Sequence, residues 1–396
     1  MAAAALVATV ALAAGCASFP DSTPTFTVQP SLRPNEATPV TPTPPSGSTS
    51  SPSPSPSSGT PSPPDSSVST STRKDPCAPT DPAVIATCLT APWGLAPLPD
   101  GQSALVGERT TGKILRVAAG RQPELLTTID GLDTSGGGGL LGIALSPYYP
   151  EDSLVYAYVT TATDNRILRI APGERPKAIF TGIPKGDEHN GGPIAFGSDR
   201  MLYVATGDAG DAATASDPSS LAGKVLRLDA FGKAATGNPD GSAVYASGFT
   251  DPTGICPLPG GPVGALDHRS TGDLLIPVRK GKDYTSTASG DTLWIYQAGD
   301  GGAVDCAVSA GYLLSSSLQA KKVTSIQMTP KGGFTGSPQD LIPDEYGRLL
   351  TIVTGPGDLV WLTTSNKDGH GKPVPSDDRV IVLPAAGGGG GGGGPD

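Results

Sequence analysis

The chain has 396 residues, 54 glycines, 42 prolines and a formal net charge of −10. The negative charge argues against a nucleic-acid partner, and an anionic membrane surface would repel the protein. Many glycines and only 5% aromatic residues favour a β-rich fold with tight turns. No apolar stretch reaches the length that a membrane-spanning helix needs.

The N-terminus has the pattern of an export signal. Ala2 to Gly15 are small or apolar and uncharged, which fits the apolar region of a signal peptide. Cys16 follows directly, and small residues before a cysteine suit lipoprotein signal peptidase. We expect residues 1–15 to be a lipoprotein signal peptide and lipidated Cys16 to anchor the protein at the outer face of a bacterial cell membrane. The alternative is an ordinary signal peptide that contains a cysteine, and the first basic residue, Arg33, comes late for either.

A stalk is predicted next, over residues 16–74. From Pro20 to Ser71 the chain is mostly Pro, Ser and Thr, and such a segment cannot bury enough apolar surface to offset the entropy lost on ordering. Residues 75–384 form the one predicted folded domain. Residues 385–396 are predicted to be a flexible glycine-rich tail.

The five cysteines predict two disulfides. Apart from Cys16, four remain, and an even number in an exported protein indicates disulfide pairing. Three pairings are possible, of which we favour Cys77–Cys88 and Cys256–Cys306. A metal site is disfavoured because the cysteines lack CxxC spacing and neighbouring histidines.

A hairpin pattern recurs at intervals of about 50 residues. Each copy is a short alternating strand, a polar turn and a second alternating strand. The copies begin at Trp93, Gly139, Gly192, Pro252 and Thr324, and we expect a sixth between Asp291 and Leu314.

This recurrence predicts an all-β fold, a six-bladed β-propeller in which the first strand of each blade lines a central channel. A large β-sandwich would explain the alternation but not the repeated Gly-apolar-x-apolar segment before each turn. Function is expected where strand ends and loops converge on the channel axis. We expect a monomer.

Several segments together resemble the glucose/sorbosone dehydrogenase family, the soluble PQQ-dependent sugar dehydrogenases with a six-bladed propeller. The most specific are the HNGG…GD block and the LAGKVLRL block. The segments are Trp93 to Val117, Gly139 to Leu145, His189 to Asp208, Leu221 to Leu228, Tyr245 to Gly254 and Thr364 to Val382.

The resemblance implies that His189 is a general base for a sugar hydroxyl and that Asp208 orients it. Hairpin geometry gives independent support. If the chain turns at Asp199, Asn190 lies opposite Asp208 with His189 adjacent. A histidine beside a carboxylate has its tautomer fixed and its imidazolium stabilised. The alternative is a turn histidine paired with an aspartate for structural reasons.

The resemblance also implies PQQ and calcium as cofactors and four cofactor-binding candidates, Asn190, Thr250, Asp251 and Lys367. Other positions depart from the family pattern. Gly137 stands for Glu or Gln, Pro193 for Arg, and Thr250 for an Arg that grips the anionic cofactor, while Asp251 adds a carboxylate beside it. Losing a bidentate cation weakens binding of a tricarboxylate. The metal ligands are not identifiable.

Three functions follow from these observations. The first is a PQQ-dependent aldose or sorbosone dehydrogenase. The second is a non-catalytic envelope propeller that binds a carbohydrate or protein partner through a degenerate cofactor site. The third is a calcium-dependent lactonase-like propeller, with Glu188, Asn190, Asp208 and Asp251 as candidate ligands.

Overall fold

The computed structural model describes residues 75–386 except 260, 262, 288, 289, 298, 300 and 331. The predicted signal peptide, the lipidation site Cys16, the stalk over residues 16–74 and the tail from residue 387 onward lie outside the described residues. The described part of the chain is therefore the domain that follows the predicted stalk.

The domain consists of six four-stranded antiparallel sheets. Blade 1 contains β2 (Pro92–Pro97), β3 (Ser103–Glu108), β4 (Lys113–Ala118) and β5 (Glu124–Thr128). Blade 2 contains β6 (Leu140–Leu145), β7 (Val155–Thr160), β8 (Asn165–Ile170) and β9 (Lys177–Ile183). Blade 3 contains β10 (Ile194–Phe196), β11 (Leu202–Thr206), β12 (Lys224–Leu228) and β13 (Val244–Ser247).

The other three blades follow the same plan. Blade 4 contains β14 (Asp251–Cys256), β15 (Gly264–Arg269), β16 (Gly272–Pro277) and β17 (Trp294–Tyr296). Blade 5 contains β18 (Asp305–Ser309), β19 (Tyr312–Ser316), β20 (Val323–Met328) and β21 (Phe334–Leu341). Blade 6 contains β22 (Leu349–Thr354), β23 (Val360–Thr364), β24 (Val380–Leu383) and, as its outermost strand, β1 (Val84–Ala86).

The ring is closed by the two ends of the domain. Val84 of β1 pairs with Ile381 of β24, so the first strand completes the last blade. The first strands of neighbouring blades contact one another around the channel, including β2 with β22. A closed ring leaves only short, protected sheet edges.

Packing between blades explains why many strands are buried on both faces. Successive side chains of a strand point to opposite faces. In β7, Val155, Ala157 and Val159 pack toward blade 1, whereas Tyr156 and Tyr158 pack toward blade 3. Six apolar clusters of described residues lie in this way, one between each pair of neighbouring blades.

The predicted six-bladed propeller is confirmed, but one repeat was placed incorrectly. The inner strands of blades 1 to 4 lie where four of the predicted copies begin. The copy predicted at Thr324 is wrong, because this segment is β20, the third strand of blade 5. Blade 5 begins at Asp305, inside the range predicted for the unassigned copy, and blade 6 begins at Leu349.

Both favoured disulfides are present, Cys77–Cys88 and Cys256–Cys306. The second joins the inner strands of blades 4 and 5. Helices are short, with α1 at Tyr149–Asp152 and α2 at Ala212–Ser216. Within the described ranges, no helix has the length and apolar character to span a membrane.

Candidate functional site

A cavity of about 270 Å³ lies at the mouth of the channel. This is near the lower end of the size range of small-molecule sites. All six inner strands contribute to its wall, through Trp93, Leu141, Ile194, Asp251, Asp305 and Thr351. The loop before β10 adds His189, Asn190, Gly191 and Pro193.

His189 and Asp208 meet at this cavity. The Nδ1 atom of His189 lies 2.8 Å from Oδ1 of Asp208, whose side chain is buried. With Nδ1–H donating to the carboxylate, Nε2 is left as an acceptor. Asp208 Oδ1 also accepts from the Gly210 N–H at 2.9 Å, and the Asp208 N–H donates to the Thr250 carbonyl at 2.8 Å.

Backbone geometry holds the His189 ring in place. His189 has a φ of 53°, in the left-handed region that few non-glycine residues adopt. Its carbonyl accepts from the Ala209 N–H at 3.1 Å. A Cβ on Gly207 would lie 1.9 Å from this carbonyl oxygen, so only glycine fits there.

The charges around His189 favour its protonated form. Burial lowers the pKa of the imidazole, but the hydrogen bond to Asp208 and the charges of Asp251, Asp208 and Glu188 outweigh this effect and raise the pKa. The neutral form, which can accept a proton, therefore prevails at a higher pH than for an ordinary histidine.

Asn190 lies just beyond the β10–β11 ladder. The register of β10 with β11 is as predicted, with Ile194 opposite Val204. The left-handed Gly191, with a φ of 68°, separates Asn190 from this ladder, but the Ala209 N–H still donates to the His189 carbonyl, which keeps the predicted register. The placement of Asn190 opposite Asp208 stays a prediction.

The Asn190 amide is hydrogen-bonded to loops of blades 2 and 3. Its Nδ2 donates to the carbonyls of Gly136 and Gly186, at 2.9 and 3.0 Å. Its Oδ1 accepts from Asn165 Nδ2 and the Gly186 N–H, both at 3.1 Å. These four bonds use the full hydrogen-bonding capacity of the amide, although the residue lines the cavity.

Thr250 and Asp251 begin blade 4. The N–H groups of both donate to buried Asp267, each at 3.0 Å. Asp251 lines the cavity, and its carboxylate accepts no hydrogen bond from any residue in the described part of the chain. Burial raises the pKa of Asp251, although His189 and His268 oppose this shift. Thr250 is not among the residues that line the cavity.

A second histidine–carboxylate pair was not predicted from the sequence. His268 lies directly across from Asp251 in the β14–β15 ladder, and its Nδ1 is hydrogen-bonded to Asp273. Its side chain is 59% exposed. From the sequence, His268 was not predicted as a site residue, and its position opposite Asp251 becomes evident only from the ladder.

No lysine or arginine of the described residues lines the cavity. The Lys367 side chain is exposed away from the cavity wall, and its N–H donates to Asp378. In the basic loop after β16, Arg279 and Lys282 lie 3.7 and 3.2 Å from Asp291. Gly137 and Pro193 do line the cavity, so two departures from the family pattern lie at the wall itself.

Asp305 is the other carboxyl group of the wall. Its Oδ2 accepts from the Ile352 N–H at 3.0 Å and its Oδ1 from the Cys306 N–H at 2.8 Å. Burial raises the pKa of Asp305 to about 8, so this group is uncharged at neutral pH. Among the described residues, no cluster of three or more His, Cys, Asp or Glu side chains could hold a metal ion.

Fold and site together define a six-bladed propeller with a histidine–carboxylate pair at its channel mouth. The sequence matches the Glucose / Sorbosone dehydrogenase family over residues 89–290. The chain belongs to this family.

Individual relatives agree with this assignment. The PQQ-bound form of an aldose sugar dehydrogenase from Streptomyces coelicolor is 38% identical, with a TM-score of 0.71, over 76% of this chain and 96% of that chain. Quinoprotein glucose dehydrogenase B of Acinetobacter calcoaceticus is 27% identical over 46% of each chain. Aldose sugar dehydrogenase YliI of Escherichia coli strain K12 is 26% identical over 51% of this chain and 60% of the relative. The chain spans about half the length of the curated relatives it matches.

Proposed function

We propose that the channel mouth binds a sugar and that Nε2 of His189 accepts a hydrogen bond from a sugar hydroxyl. Through this contact a general base removes the proton when an electron acceptor takes up the hydride. The observation that carries this proposal is the 2.8 Å contact between His189 Nδ1 and buried Asp208 Oδ1, beside a cavity to which all six blades contribute. The geometry is that of an oriented general base.

Each residue of the pair has a distinct part in this proposal. Asp208 holds the ring in the tautomer that leaves Nε2 as acceptor, and its charge stabilises the imidazolium that forms on proton transfer. Asp251 adds a second acceptor for hydroxyl groups at the same wall. The apolar side chains of Leu141 and Ile194 exclude water from part of the cavity. Base and acceptors therefore support recognition of a polyhydroxylated ligand.

The cofactor of the relatives fits this wall poorly. PQQ is an anionic tricarboxylate, and bidentate cations are the side chains that hold such groups best. In the part of the wall that the structure describes, the titratable groups are His189, Asp251 and Asp305, without a lysine or arginine. Lys367, predicted to contact the cofactor, is exposed elsewhere. We therefore derive no step through PQQ or calcium.

Sugar oxidation is the second candidate function. It is favoured by the His189–Asp208 pair, since removal of a hydroxyl proton is the base-catalysed half of an alcohol oxidation. The relatives that are quinoproteins or aldose sugar dehydrogenases support it as well. A propeller that binds sugar without oxidising it is the alternative.

Calorimetry of the purified full chain separates these functions. We would titrate a panel of aldoses, and then PQQ with calcium, into wild type and His189→Gln. Sugar binding that weakens at least tenfold in the variant supports the proposed site. Saturable PQQ binding with dye-linked sugar oxidation would establish the dehydrogenase, whereas no sugar binding under any condition would refute the proposal.

We also propose that the chain is an exported lipoprotein, anchored by a lipid on Cys16 at the outer face of the cell membrane. The small residues Ala13, Ala14 and Gly15 before this cysteine support the proposal. Metabolic labelling with palmitate should label wild type but not Cys16→Ala, and the variant should leave the membrane fraction. Equal labelling of both proteins would contradict the assignment.

A further inference from the structure

Among the charged groups at the channel mouth, the Asp251 carboxylate has no ion-pair partner of its own. Each basic side chain beside Asp251 has an acidic partner of its own. The pairs are His189 with Asp208 at 2.8 Å, Arg269 with Asp267 at 2.6 Å, and His268 with Asp273. Even with both imidazoles protonated, these three pairs are neutral.

Asp251 is the group that remains uncompensated. It lines the cavity and lies across the ladder from His268. Only its N–H is engaged, by Asp267 at 3.0 Å, and its carboxylate accepts no hydrogen bond within the described ranges. Exposed Glu188, next to His189, adds a further negative charge that influences Asp251. Asp251 is half-buried, so its carboxylate is partly removed from water without gaining a cationic partner, and a cationic ligand would supply that partner.

The remaining wall offers no competing cation. The rest of the described lining is apolar or uncharged apart from His189, and includes Trp93, Val353 and the protonated Asp305. The Arg109 guanidinium lies behind this wall. It stacks on the Trp93 ring at 5.2 Å and donates to the Gly138 carbonyl at 2.9 Å, and it does not line the cavity.

We infer that the sugar bound at this channel mouth carries a protonated amino group, which lies against the Asp251 carboxylate. The inference rests on the proposed function and specifies its ligand class, an amino sugar in place of a neutral aldose. An ammonium group supplies three N–H donors and a positive charge to a carboxylate that has no donor, whereas a neutral hydroxyl supplies one donor and no charge.

The test compares three probes that differ in one substituent. D-glucosamine, D-glucose and N-acetyl-D-glucosamine are titrated calorimetrically into the full chain at pH 7. We expect glucosamine to bind about tenfold or more tightly than the two uncharged sugars. Asp251→Asn should abolish this preference and Asp251→Glu should retain part of it. Asp187→Asn is the matched control, because it removes the same charge from an exposed site on the neighbouring loop.

The outcomes are distinguishable. If glucose and glucosamine bind wild type equally well, the inference fails and the sugar site stands. If Asp251→Asn keeps the preference for glucosamine, Asp251 is not the ammonium partner and the inference also fails. If none of the sugars binds, the proposed function itself is refuted. Because the Asp251 side chain has no intramolecular hydrogen bond to lose, the melting temperature of Asp251→Asn should be no lower than that of wild type, which confirms folding.

Discussion

At the scale of single residues, the position of His189 depends on a glycine. The left-handed backbone at His189 directs its carbonyl toward Gly207, where a side chain has no room. The HNGG and GD segments are therefore one structural unit, in which glycines permit the approach that brings the imidazole to Asp208.

Gly207→Ala should disrupt this unit. The new Cβ would lie 1.9 Å from the His189 oxygen, so the loop must move and the imidazole with it. We expect at least a tenfold loss of sugar affinity and a free energy of unfolding lower by about 2 kcal/mol. Gly261→Ala is the control, since a Cβ there meets nothing within 4 Å. Equal affinities of the two variants would contradict this account.

Asp208→Asn should lower the pKa of His189. The substitution removes the charge that stabilises the imidazolium and replaces the carboxylate with a weaker, neutral amide acceptor. A histidine with a raised pKa stabilises the fold at pH values below its unfolded pKa of about 6.5, and this stability is lost as pH rises through the folded pKa. The variant should therefore lose stability mainly at acidic pH. NMR titration of the imidazole would measure the shift, and Asp273→Asn should alter His268 alone.

How much of the site was predictable also differs by residue. His189 and Asp208 were predicted as a pair, because their spacing fits one hairpin and the register of β10 with β11 follows from a single turn. The hydrogen bonds of the Asn190 amide to Gly136, Gly186 and Asn165 were not predictable, because they join it to segments remote from the hairpin. The role of His268 could not be predicted, because its neighbour Asp251 is on another strand and the pairing depends on a bulge between Pro252 and Gly254.

At the scale of elements, α2 and the loop around it are fixed by one buried lysine. Lys224 is the first residue of β12 and is fully buried. Its Nζ donates to the carbonyls of Thr214, Ala215 and Ala222, at 2.8, 2.8 and 2.7 Å. The Lys224 ammonium group thus fixes the loop that begins at Asp208 through three hydrogen bonds.

Lys224→Met should destabilise the domain and change its pH dependence. Burial lowers the folded-state pKa of Lys224 from 10.5 to about 8. Between these values the unfolded state binds more protons, so wild-type stability should rise with pH across this window. Methionine removes that rise together with the three hydrogen bonds of the ammonium group, at a cost of about 3 kcal/mol. The carbonyls of Thr214 and Ala215 keep the N–H groups of Asp217 and Gly248 as donors. Denaturant unfolding at pH 7.5, 9 and 10 would measure both effects, and parallel pH profiles would disprove them.

The repeats illustrate what periodicity can predict. Blades 1, 2 and 4 begin with strands that contain glycine beside apolar residues, and in blade 3 Gly191 and Gly192 shortly precede the apolar strand β10. These four blades were located correctly. Blade 5 begins with Asp305-Cys306-Ala307-Val308-Ser309, where buried polar residues conceal the pattern. Apolar and polar residues alternate more clearly in β20, which was therefore wrongly predicted to be an inner strand. Only the ladder of blade 5 resolves the ambiguity, because β20 pairs with strands on both sides.

At the scale of the whole molecule, two covalent links complement the ring. Cys256–Cys306 joins blades 4 and 5 near the channel, and Cys77–Cys88 closes a short loop beside the first strand. Disulfides stabilise mainly by restricting the unfolded chain, and longer loops give the larger effect.

Cys256→Ala/Cys306→Ala should therefore cost more stability than Cys77→Ala/Cys88→Ala. Sequence separations of 50 and 11 residues correspond to about 4 and about 3 kcal/mol in the loop-entropy relation. Unfolding in denaturant under non-reducing conditions would rank the two variants, with reduced wild type as the reference. The reverse order would show that local packing, not loop length, governs the contribution.

The way the ring closes also dictates an order of events in folding. β1 is the first strand of the domain to be synthesised, yet its partner β24 is the last. β1 therefore remains unpaired until the other five blades and the rest of blade 6 have been synthesised. A chain that leaves a ribosome or translocation pore N-terminus first therefore emerges as an open ring. The pairing of β1 with β24, which closes the ring, can form only after the C-terminal strand has been released.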